Sequence, residues 1–114
     1  MKAINITTEK EIAANVMAAT SILKRMKGLL GMDTLAKGEA LLIKPCKGIH
    51  TIGMKFVIDV IFLDKDNNII AMKKYMKPNC FTPIYLRAVS ALELPAGTID
   101  STSMNIGDRI KFID

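Results

Sequence analysis

Residues 45–64, PCKGIHTIGMKFVIDVIFLD, hold the chain's single histidine, one of its two cysteines and an aspartate set within an apolar run. Cys46 and His50 are four positions apart. A thiol beside an imidazole can act as a nucleophile, or the two can share a metal ion. Cys46 follows a proline in an irregular stretch, however, so this spacing does not oblige the two side chains to face each other. A complete zinc site would also need Cys80, Asp59 or another oxygen, and no close pair such as C-x-x-C is present. The residues therefore predict no metal and no cofactor, with Cys46 a plain loop thiol. Gly48 and Gly53 flank His50 and Thr51 without forming a phosphate-binding pattern.

Asp59 lies between Ile58 and Val60 and, with a period of two, shares a face with Val57, Ile61 and Leu63. An unpaired charge on a buried face is too costly to keep, so a partner is expected among His50, Thr51, Arg25 and Lys55. Glu93, in LELPAG, poses the same problem. Two carboxylates and a histidine could carry general acid–base chemistry. The plainer expectation is a polar network in which Asp59 and Glu93 accept hydrogen bonds from loop amides and pin segment 45–55.

The elements that must position these groups are short. Alternation over 2–8 predicts an edge strand, and 12–19 a strand paired with it. Ile22, Leu23, Met26, Leu29 and Leu30 fall on one face of a 3.6-residue helix, which Thr20 or Ser21 can cap and Gly31 can end. The basic run from Lys24 to Lys27 reads as its solvated face. Further strands are expected at 40–43, 56–63, 69–75, 88–94 and 109–113, with a hairpin turn at 64–68 and another turn at 95–97. The pattern predicts a mainly β, α+β fold: a compact antiparallel sheet or small barrel of six to seven short strands with one covering helix. A parallel doubly wound fold would need more helices.

At 114 residues, half of them apolar, the chain fits a single domain spanning residues 1–114 with one modest core. Aromatic residues make up 5% and methionines number eight, so the interior rests on Ile, Leu, Val and adaptable Met. The formal charge of +5 raises the question of nucleic acid, but the basic residues are scattered, and only Arg25, Arg87 and Arg109 are arginines. Nucleic acid is thus not the expected partner. The first residues lack an export-signal pattern and no apolar run approaches the length of a membrane span. The expectation is a cytoplasmic chain with reduced cysteines.

Three segments, KRMKGLLG at 24–31, PCKGIHTIGMKFVIDVIFLDKDNNII at 45–70, and ALELPAGTI followed later by Gly107 and Asp108, resemble the motifs of domain-of-unknown-function family 192 over nearly the whole chain. The resemblance implies a small, mainly β protein. It places Arg25, Gly28 and Leu29, then His50, Thr51, Met54 and Asp59, then Glu93 and Gly97, at the family's motif positions, and it implies no reaction. Export signals, common in the family, are not evident here.

Three functions are open at this level. The leading one is a binding or assembly module in which His50, Thr51, Met54, Asp59, Glu93, Arg25 and Cys46 receive a peptide or small ligand from an unknown partner. The second is a small hydrolase or lyase with a His50–Asp59 pair and Cys46 or Thr51 beside it. The third is a weak nucleic-acid binder acting through surface lysines.

Overall fold

The computed structural model describes all 114 residues. Its elements in chain order are β1 (Lys2–Asn5), β2 (Lys10–Ala13), β3 (Asn15–Ala19), α1 (Ile22–Lys27), β4 (Glu39–Ile43), β5 (Ile58–Leu63), β6 (Ile69–Met76), β7 (Ser90–Pro95), α2 (Thr98–Ser101) and β8 (Ile110–Ile113). The mainly β, α+β class follows as expected. There are eight strands in two sheets, ordered β2-β1-β8 and β3-β4-β7-β5-β6, and the barrel does not close.

The segment 12–19 is not one strand. Its first part is the end of β2, antiparallel to β1, while the remainder is β3, which joins the other sheet parallel to β4. Ala14 separates them, and the Val16 amide donates to the Met1 carbonyl at 2.7 Å, tying the two sheets together. Parallel neighbours need a long crossover, and residues 20–38, which contain α1, supply it. Every other pairing is antiparallel.

β5 is buried at every position because it lies between β6 and β7 and is covered on both faces. Ile61 and Leu63 pack with Leu92, Leu94, Ile99 and Ile110 between the two sheets. Ile58, Val60 and Phe62 pack on the opposite face with Leu41, Ile43, Leu29 and Met54. The apolar run in the sequence is therefore two cores read alternately. The β5–β6 hairpin turns where Asp64 Oδ1 accepts the amides of Asp66 and Asn68, each at 2.9 Å.

α1 is shorter than its periodicity predicts. Ser21 Oγ accepts the Lys24 amide at 3.1 Å, and Gly28, at φ 49°, ends the helix three residues before Gly31. No helix residue is buried, and Ile22, Leu23 and Met26 are 67%, 79% and 69% exposed. Leu29, just past the helix, reaches the core. The apolar stripe thus flanks an open surface where a core was expected.

Candidate functional site

The sheet register separates the two acidic residues. Asp59 lies opposite Leu94 and faces the core between the sheets, whereas Glu93 lies opposite Val60 and faces the other side. Asp59 is fully buried. Its Oδ1 accepts the Tyr75 amide at 2.9 Å, and its Oδ2 accepts the Ile99 amide at 2.8 Å. Tyr75, at φ 51°, sits where the β5–β6 register slips, so one oxygen satisfies an amide released by the bulge. The other serves the first turn of α2, whose cap residue, Gly97, has no side chain to offer. Asp59 pins β6 and α2, and not segment 45–55 as expected.

The expected His50–Asp59 pair is not formed. His50 is exposed, its backbone bridges Phe81, and its ring lies 6.2 Å from the Phe81 ring. No hydrogen bond links it to either carboxylate. Thr51 is fully buried and spent on structure: Oγ1 donates to the Lys77 carbonyl at 2.6 Å and accepts the Cys80 amide at 2.9 Å. Neither it nor Asp59 lines any of the three main clefts. This separation removes the acid–base pair and leaves the hydroxyl without a nucleophilic role.

The remaining candidates do converge. Arg25, Cys46, His50, Met54 and Glu93 line one cleft of about 540 Å³, whose walls include Leu29, Leu30, Ile43 and Ile49. Three pieces of chain build it: α1 with the Gly28 turn, the segment after the strand β4, and the middle of β7. Gly28 adjoins the acid: a Cβ there would lie 3.7 Å from Glu93 Oε1, in a backbone conformation that a side chain resists. At Gly48 a Cβ would meet Ile84 Cδ1 at 2.7 Å, a contact the exposed Ile84 side chain can relieve by turning away.

Glu93 is only 3% exposed, and its carboxyl accepts no hydrogen bond from the protein. Burial alone pushes its pKa from the ordinary glutamate value up to about 7. Arg25 is anchored through Nη1, which donates to the Pro45 carbonyl at 3.0 Å, while its buried Nε has no partner. The two form no ion pair, since those present are Lys2–Glu11, Lys55–Asp33 and Lys74–Asp100. Cys46 Sγ donates to the Gly48 carbonyl at 3.2 Å. Burial pushes this thiol up, and the Glu93 charge adds to that, outweighing the Gly48 hydrogen bond and Arg25, so it stays protonated and a poor nucleophile. No three His, Cys, Asp or Glu side chains gather closely enough to hold a metal ion.

Sequence reasoning missed the cleft's apolar lip. Ile22 and Met26 from α1 and Ile52 from the opposite side line it and are exposed, together with Lys27 and Lys47. Phe81 adjoins it through His50 and Ile84 through Gly48, both exposed. The available signal was an apolar stripe on a helix too short to bury it.

The family model DUF192, described as Uncharacterized ACR, matches residues 3–112. The UPF0127 protein PF1050 of Pyrococcus furiosus is 29% identical over 114 aligned residues, covering 96% of both chains. A crystal structure of a protein of unknown function from Novosphingobium aromaticivorans superposes with a TM-score of 0.78 at 17% identity, covering 85% of this chain and 74% of that one. A candidate transcription regulator from Sinorhizobium meliloti superposes at 0.75 with 22% identity, covering 84% and 79%. These structural likenesses concern the fold. No helix of the chain is long and apolar enough to cross a membrane.

Proposed function

We infer a function from one premise: this chain belongs to the DUF192 family, whose model spans nearly all of it. Within that family frame, the chain is a binding module, and its site is the cleft that Arg25, Cys46, His50, Met54 and Glu93 share. One observation carries the reading. Glu93 borders this cleft and its carboxyl takes no donor from the protein, so burial penalises its charge while its oxygens stay free for whatever occupies the cleft. Apolar walls with a few convergent polar groups are the usual make-up of a small-ligand or peptide site.

The hydrolase or lyase reading has little to rest on, since Cys46 is held as a thiol and Thr51 is committed to the backbone at 77–80. Nucleic-acid binding is weaker still, because Lys2, Lys55 and Lys74 face carboxylates and the cleft floor is acidic.

The test is an amide NMR screen of the folded chain against small molecules and short peptides. Binders should shift amides at Gly28, Cys46, Gly48 and Glu93, and Glu93→Gln should weaken them while leaving the spectrum otherwise native. Binders that perturb only β1, β2 and β8 would place the site elsewhere and overturn this reading.

A further inference from the structure

Glu93 and Arg25 border the same cleft with opposite charge, yet no ion pair joins them: Arg25 keeps a buried Nε without a partner, and the Glu93 carboxyl accepts no hydrogen bond from the protein. Opposite charges sharing a desolvated space gain by pairing, so two groups held apart and unsatisfied form a receptor for a ligand that has both complements. The Arg25 guanidinium is fixed by the Pro45 carbonyl, and Glu93 is fixed on the ladder between Val60 and Leu41. Both line the same cleft of about 540 Å³, with Cys46 among the residues between its walls.

We propose that the cleft takes a zwitterionic apolar ligand, an α-amino acid or a short apolar peptide, whose ammonium donates to Glu93 and whose carboxylate accepts from Arg25. This rests on the cleft being the binding site. The side chain lies against Leu29, Ile43 and Met54, where burial of apolar surface adds affinity. Lys27 adds positive charge at the lip, whereas the Lys47 ammonium is held by the Leu86 and Ala88 carbonyls at 2.7 and 2.9 Å. A volume of about 540 Å³ holds more than one residue, so a dipeptide fits as well as a free amino acid.

Titration calorimetry with L-leucine, L-methionine and Leu-Leu, followed by amide NMR, tests this on the intact chain. The probes leucinamide, which lacks the carboxylate, and N-acetyl-leucine, which lacks the ammonium, should each bind about tenfold or more weakly than leucine, because each leaves a buried group unpaired. Tighter binding of Leu-Leu than of leucine identifies a peptide ligand, and the reverse identifies a free amino acid. Arg25→Met should erase the preference over leucinamide alone, and Glu93→Gln the preference over N-acetyl-leucine alone. N-acetyl-leucinamide binding as tightly as leucine overturns the proposal, as does no zwitterion binding at millimolar concentration. The cleft reading survives that second result if another compound still shifts Gly28, Cys46 and Glu93.

Discussion

Asp59 and Glu93 stand one register step apart on neighbouring strands and point to opposite faces of the sheet. This offset divides the two buried acids by role. Asp59 has two backbone amides and holds the fold, whereas Glu93 has none and opens on the cleft. An acid that is satisfied internally has nothing left for a ligand. One that is not keeps its whole hydrogen-bonding capacity for what enters.

Replacing Asp59 by Ala should therefore act on stability. It strands the Tyr75 and Ile99 amides, each of which loses a charged acceptor in a closed space. At about 1.5–3 kcal/mol for each such bond, unfolding free energy should fall by about 3 kcal/mol or more. Urea denaturation measures this, and a loss below about 1 kcal/mol would mean that the two amides find other acceptors.

Thr51 offers a narrower test of the same kind. Thr51→Ser keeps the hydroxyl that bridges the Lys77 carbonyl and the Cys80 amide, whereas Thr51→Val keeps the shape and removes it. Thr51→Val should cost about 1–3 kcal/mol more than Thr51→Ser by the same measurement. Equal losses would assign Thr51 to packing alone.

Much of the fold was legible because it depends on local pattern. The 64–68 turn, the apolar β5 and the strand ending at Ile43 all follow from Asn, Asp and Pro placement and from continuous apolar runs. The split of 12–19 was not legible, because the pairing of β3 with β4 depends on a crossover that no short window contains. The site was half legible. Burial of Asp59 and Glu93 could be read from their apolar neighbours, but their opposite faces depend on the register between β5 and β7, a long-range property. His50 stood out by rarity, which says nothing about where its ring points.

Cys46 should react slowly with thiol reagents at neutral pH, since the thiolate is the reactive form and burial first, then the Glu93 charge, oppose its formation. Removing that charge by Glu93→Gln lowers the thiol's pKa, so alkylation of the folded variant should be faster. Cys80→Ser in both proteins isolates the signal. An unchanged rate would show that Glu93 is uncharged at the pH of the experiment or screened from the thiol.

The last prediction concerns pH. Burial raises the folded-state pKa of Glu93 to about 7, above the ordinary value of 4.5 that the unfolded chain retains. Between those values the folded state holds more proton than the unfolded state, so stability falls as pH rises. The contribution is fully present below pH 4.5 and lost by the time pH passes about 7. Its full size is on the order of 3 kcal/mol at 1.36 kcal/mol per pKa unit. Glu93→Gln has no proton to lose, so its advantage over the wild type should grow across this window and level off above it. Melting curves of both proteins from pH 5 to pH 8 should therefore diverge as pH rises. A ligand that donates to Glu93 favours the ionised form, so it should flatten the wild-type slope and release protons on binding near neutral pH. Parallel melting curves for wild type and Glu93→Gln would mean that the carboxyl is already satisfied, and the cleft would lose its claim as the binding site.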